Sequence, residues 1–153
     1  MVSRESLLEK CQKFGFNVSL DSITTPSYTI AQYLKKIGFT KKAYVTGFDQ
    51  IGRELEAVGI EHIGIGPDIF DTSLGEYFQE KFRLDSDVGA VISCMDPHFS
   101  FPKLLKAINY LKNPEVLFLS TNSDDRLEFP TFNFPDGGKL AAKLILIHKM
   151  VIL

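Results

Sequence analysis

The strongest constraint on the fold of this chain is an alternation, between residues 41 and 121, of short apolar runs with segments of helical spacing. KKAYVTGF, IEHIGIG, VGAVISCM and EVLFLST read as strands, because each is a compact apolar block bounded by turn-forming residues. DQIGRELEAVG and SFPKLLKAINYLKN instead place apolar residues three and four apart, the interval that puts side chains on one helical face. Strand, helix and strand joined by short Gly-bearing turns make a βαβ unit of roughly 30 residues, and two such units follow one another here. The class is therefore α/β with a mainly parallel sheet. DTSLGEYFQEKFRL is ambiguous between loose helix and loop, and NSDDRLEFPTFNFPDGG reads as a loop holding a hairpin.

Two helices precede the alternation. SRESLLEKCQKFGF has Ser3 as its N-cap and Gly15 as its stop, and TTPSYTIAQYLKKIGF has Pro26 in the first turn and Gly38 as its stop. The last 15 residues, KLAAKLILIHKMVIL, read as a terminal helix. Leu140, Leu144, Ile147 and Val151 form one stripe, while Ile145, Leu146 and Ile152 lie off it, so burial on several sides is expected. Lys139, Lys143, His148 and Lys149 interrupt this segment, which falls short of the roughly 20 apolar residues a membrane span needs.

Composition narrows the function. At 153 residues and 44% hydrophobic content the chain is long enough for one packed domain. Its net charge is -2 and its longest Lys/Arg run is two residues, so no nucleic-acid footprint is present. Cys11 and Cys94 stand far apart without the spacing of a zinc site, which fits reduced thiols in the cytoplasm. MVSRESLLEK lacks the apolar run of a secretory signal.

In parallel sheets, ligands gather beyond the carboxyl ends of strands. Three polar clusters fall there: Gly47-Phe48-Asp49, Cys94 to His98, and Ser120 to Asp125. Asp49 is most simply the N-cap of the next helix. Thr121, Asn122 and Asp124 suit a turn by residue type. For Asp96 and His98 two readings stay open: a binding or catalytic pair at a strand end, or a strand-to-helix turn with Ser100 as the cap. His62, inside an apolar strand, and His148, on the terminal helix, read as structural or surface residues. GxGxxG, GxxxxGK[ST], GxSxG and HExxH are all missing.

GAVISCMDPHFSFPKLLKAINYLKNPEVLFLSTNSDD, residues 89–125, resembles the phosphoglycolate, pyridoxal phosphate and 4-nitrophenyl phosphatases of the haloacid dehalogenase superfamily. There an apolar strand ends in Gly-aromatic-Asp-x-His-aromatic, a Lys-Leu helix follows, and the next strand ends in Thr-Asn-x-Asp. The matching positions are Asp96, His98, Phe99, Lys103-Leu104, Thr121-Asn122 and Asp124. YVTGFDQIGRELEAVGIEHIG is similar to the family's unit just upstream, SRESLLEKCQKFGF to the helix after its threonine motif, and FPDGGKLAAKL to its return segment. Ser93-Cys94-Met95 departs from the family's Gly-aromatic pair.

The resemblance implies a cap-type domain at residues 21–131, framed by remnants of a Rossmann-like core: a helix in 1–20, and a return segment and helix in 132–153. Such phosphatases use an Asp-x-Asp-Gly nucleophile and acid, a Thr-Asn-Asn-Ser phosphate clamp, a Gly-Lys-Pro lysine and late aspartates that help hold Mg²⁺. None of these is matched here, and by position they are expected before Met1 and beyond Leu153. LDSDVG, at residues 84–89, resembles an Asp-x-Asp pair but precedes its strand, so it reads as a solvated turn. The expectation is a truncated phosphatase that keeps the substrate-selecting cap and is inactive alone, without its Mg²⁺ ligands. Asp96, His98, Asn122 and Asp124 would bind the leaving group of a phosphorylated small molecule. One alternative is a non-enzymatic interaction module, a homodimer or a partner for the terminal helix. The other is an active phosphomonoesterase improvised from Asp96, Thr121 and Lys103.

Overall fold

The computed structural model describes residues 3–122, 126–128, 130–135 and 150–152. Helix α1, Arg4–Lys13, starts where Ser3 accepts the Ser6 N–H, and buries none of its residues. It is tied down by Arg4, whose guanidinium donates to the carbonyls of Ile23 and Leu20 and lies over the Tyr28 ring. Helix α2, Pro26–Lys36, is capped by the Thr25 hydroxyl and has proline in its first turn, where no N–H is needed.

The sheet is built from β1 (Lys42–Thr46), β2 (His62–Ile63), β3 (Val88–Ser93), β4 (Leu117–Ser120) and β7 (Met150–Ile152). Their spatial order is β2-β1-β3-β4-β7, and every pairing is parallel. Side-chain alternation assigns two faces. Ala43, Val45, Ala90, Ile92 and Leu119 pack with α2 and with α3 (Asp49–Glu56). Tyr44, Val91 and Phe118 point the other way, onto α5 (Phe101–Tyr110). Both faces are covered, which is why the strands read as continuous apolar runs.

Between β2 and β3, α4 (Leu74–Glu76) begins with a reciprocal Ser73–Glu76 capping box and continues into a π-helical turn at Tyr77–Lys81. This resolves the ambiguous segment as a short helix. β5 (Arg126–Glu128) and β6 (Asn133–Pro135) form the antiparallel hairpin expected in the Phe- and Pro-rich loop.

Three expectations need correction. Asp49 is not a cap: Phe48 holds that position with no side-chain bond, and Asp49 is the first helical residue, its carboxylate at the positive end of the helix dipole. The strand over IEHIGIG shrinks to His62–Ile63, because Gly64 and Gly66 take φ of +98° and +87°. A side chain at 64 is doubly barred, since its Cβ would lie 2.7 Å from the Val45 carbonyl oxygen. Finally, Met150–Ile152 is strand rather than helix and pairs with β4. The rest of the expected terminal helix, His148 included, lies outside the described residues.

Candidate functional site

The order β2-β1-β3 means that the chain leaves β1 toward one side of the sheet and later returns on the other. At such a switch point the connections after the two strands diverge and leave a crevice at their carboxyl ends. A cleft of about 480 Å³ stands there. Gly47 to Gln50 and Arg53 bound it from the β1–α3 side, Ile65 and Gly66 from the segment after β2, and Pro97 and His98 from the segment after β3.

The β3–α5 connection owes its shape to local sequence. Asp, Pro, His and Phe at 96 to 99 supply aspartate at the first and proline at the second position of a β-turn. The Phe99 N–H donates to the Asp96 carbonyl at 3.2 Å, and the His98 N–H to Asp96 Oδ1 at 2.8 Å. Ser100 then caps α5: its hydroxyl accepts the Lys103 N–H at 3.4 Å and donates to the Asp68 carbonyl at 2.7 Å. The result leaves His98 exposed on the cleft.

Asp96 faces the other way. Its second oxygen, Oδ2, lies 2.6 Å from Lys103 Nζ, and both side chains are sealed from solvent. Lys103 occupies the buried stripe of α5 together with Ala107 and Tyr110, and its carbonyl accepts the Tyr44 hydroxyl at 3.3 Å. Burial drives the Tyr44 phenol far above its usual range, so it stays a neutral donor. Thr121 is also buried, so the improvised trio of Asp96, Thr121 and Lys103 presents no accessible nucleophile.

The structure thus brings Asp96 and His98 together but gives them opposite exposures. Asn122 stands half-buried after β4, its carbonyl accepting the Ser120 hydroxyl at 2.7 Å, and is not among the residues that line the cleft. Asp124 lies outside the described residues. His62 lies in β2, its Nε2 3.1 Å from Glu56 Oε1. The LDSDVG segment is a turn, with the Asp87 N–H donating to Asp85 Oδ1 and Lys42 pairing with Asp85.

Sequence reasoning did not select Arg53, Ile65 or Gly66. Arg53 carried one overlooked signal, its position one helical turn after Asp49 on a helix that opens at a strand end. Among the described residues the Arg53 guanidinium engages no hydrogen-bond or ion-pair partner, whereas those of Arg4 and Arg83 donate to backbone carbonyls. Ile65 and Gly66 reach the cleft only through the pairing of β2 with β1.

The described residues gather no ligand set for Mg²⁺. Among the described residues no three carboxylate, imidazole or thiol side chains converge on one point, and both Asp96 oxygens are already committed. No described helix is long and apolar enough to cross a membrane.

A family profile described as haloacid dehalogenase-like hydrolase matches residues 1–61. The glycerol-3-phosphate phosphatase of Rattus norvegicus is 36% identical over 143 residues, covering 88% of this chain and 44% of that protein. The 4-nitrophenylphosphatase of Schizosaccharomyces pombe is 35% identical over 148 residues, covering 94% and 49%. The chain therefore spans a little under half the length of these curated relatives. Among solved structures, a p-nitrophenyl phosphatase from Archaeoglobus fulgidus superposes with a TM-score of 0.73 at 20% identity, over 98% of this chain and 50% of that one. At that identity the likeness establishes the fold.

Proposed function

The chain belongs to the haloacid dehalogenase-like hydrolases, and from that premise we propose that these 153 residues supply the substrate-selecting cap of a phosphatase and not its phosphoryl-transfer centre. The single observation that carries this reading is the split at the cleft: His98 is exposed on it, while the neighbouring carboxylate is consumed by Lys103 and a backbone N–H. Phosphoryl transfer through an aspartyl intermediate pairs a nucleophilic carboxylate with a second one as acid and base; the cleft has one exposed carboxylate, Asp49, and the residue two positions on is the buried Ile51. The cleft offers an imidazole, a guanidinium and backbone groups, enough to orient a small polar leaving group by hydrogen bonds. A cap that closes over a reacting centre excludes water and selects by shape in this way.

On this reading His98 meets the leaving group and Asp96 acts behind it. The ligand is a phosphorylated small molecule of the kind named in the relatives, glycerol 3-phosphate being the natural first probe. The Asp-x-Asp-Gly and Gly-Lys-Pro elements of an active enzyme would lie outside these residues, and reading the transcript on either side tests that directly. Residues 21–131 would form the cap, with 1–20 and 132–153 as core-derived flanks. The compartment would be the reducing cytoplasm, where Cys11 and Cys94 remain thiols, as they are here.

The test is hydrolysis of 4-nitrophenyl phosphate and glycerol 3-phosphate with Mg²⁺ present, beside binding of glycerol 3-phosphate followed by NMR. No turnover above background is expected, with binding weakened by His98→Ala. Robust turnover abolished by Asp96→Asn would overturn the reading in favour of an active phosphomonoesterase. A second reading, a homodimerising module, is favoured by one observation. Ile69, Phe70, Leu74, Phe78 and Phe101 are all exposed, and Phe70 touches the rings of both Phe101 and Tyr77. Sedimentation at micromolar concentration decides it, and a monomer there removes it.

A further inference from the structure

We infer that Lys103 is a positioning residue for the cleft: through the Asp96 carboxylate it sets where the His98 imidazole stands. The inference rests on the reading of His98 as the group that meets the ligand.

Lysine is among the residues least often found fully buried, yet only 1% of this side chain is exposed. Helix geometry explains its reach. Side chains on a helix lean toward the N-terminus, so position 103 delivers its ammonium beneath the first turn of α5, where the chain arrives from β3. There it meets Asp96 Oδ2 at 2.6 Å, while Oδ1 of the same carboxylate accepts the His98 N–H at 2.8 Å. One carboxylate therefore joins a rigid helix to the turn that carries the imidazole.

The charge on Asp96 matters to that joint. A buried carboxylate left without its cation is costly, so losing the ammonium disturbs the acceptor on which the His98 N–H depends. Lys103 takes up Oδ2 and leaves Oδ1 to the His98 N–H, so the ammonium fixes the orientation of the acceptor. A device for stability alone would need only a filled volume, since apolar residues commonly replace a buried ion pair at no cost. Apolar residues have no acceptor for a backbone N–H in an exposed turn. That difference separates positioning from packing.

The experiment uses the full 153-residue chain, with glycerol 3-phosphate as the probe. NMR reads its affinity and the hydrogen exchange of the His98 amide relative to amides of β3, which report global opening. Lys103→Met should speed His98 exchange relative to β3 and weaken the probe, each by about tenfold, the scale of one lost hydrogen bond. In Asp96→Leu/Lys103→Met the melting temperature should return toward wild type, while exchange stays fast and binding stays weak. Recovery of exchange and binding along with melting temperature would overturn the inference, leaving the pair as filler. So would wild-type relative exchange in Lys103→Met. His98→Ala separates the two claims: unchanged probe binding there would remove the reading of the cleft, while His98 exchange in the Lys103 variants still decides the positioning role.

Discussion

Gly52 is the position where helix propensity and packing make opposite predictions. It lies inside α3, and replacing an interior helical glycine by alanine ordinarily stabilises by about 0.8–1 kcal/mol. The structure reverses the sign. A Cβ at 52 would lie 2.7 Å from both Cε1 and Nε2 of His62 and 2.8 Å from Cδ1 of Ile65. Carbon contacts are comfortable only near about 3.5–4.0 Å. Neither neighbour gives way cheaply, because the His62 ring is bonded to Glu56 and Ile65 packs against the buried cluster under α3. Overpacking costs about 1–3 kcal/mol, and three simultaneous contacts put this site in the upper half of that range. After the gain in propensity, Gly52→Ala should lose about 1–2 kcal/mol. For a chain of this size that lowers the melting temperature by about 2–8 °C. Thermal denaturation of Gly52→Ala, His62→Ala and the double variant supplies the assay, and truncating the ring should return much of the loss, with a coupling of about 1 kcal/mol. Gly75→Ala is the control, since a Cβ there meets nothing within 4 Å. If Gly52→Ala melts above wild type, the close packing of α3 on the segment after β2 is refuted, and with it one wall of the cleft.

Asp96→Ala strands the buried Lys103 ammonium and should cost about 3–5 kcal/mol in urea denaturation, against a small change for exposed His98→Ala; equal losses would contradict the burial of the pair. Thr25→Ala removes the acceptor for the Tyr28 N–H and should cost about 1 kcal/mol in the same assay, with an unchanged midpoint counting against a capping role. The Lys42–Asp85 pair should stabilise across neutral pH and fade at both extremes. The Asp87 N–H and then Lys42 hold the Asp85 carboxyl below its usual range, so that contribution is present above the ordinary carboxylate value and is lost as pH falls through the folded one. Hydrogen bonding to Asp85 raises Lys42, so its contribution is complete below the ordinary lysine value and is lost as pH rises through the folded one. The melting-temperature difference between wild type and Lys42→Met should shrink in strong acid and strong base, and a pH-independent difference would refute the pairing.

Local features were legible because neighbouring residues suffice to make them. Ser3 and Ser100 cap the helices their positions implied, and both apolar runs that became β1 and β3 are central strands. Even the Asp96–Phe99 turn follows from its four residues. Where the reading failed, a competing local term or a distant partner decided. Gly64 and Gly66 ended a strand that hydrophobicity alone would have extended, and Phe48 took the cap that residue type had assigned to Asp49.

The sequence by itself determined the α/β class and the family resemblance, and it put Asp96 and His98 at the end of a buried strand without deciding which of them faces out. These depend on period, caps and turns, all set within a few residues. Only the tertiary structure decided that Asp96 points inward to a buried lysine seven residues away, and that Arg53 and Gly66 face His98 across a cleft. Those facts depend on strand order and on what a charge meets once water is removed. A buried carboxylate must find a cation, and an exposed one need not.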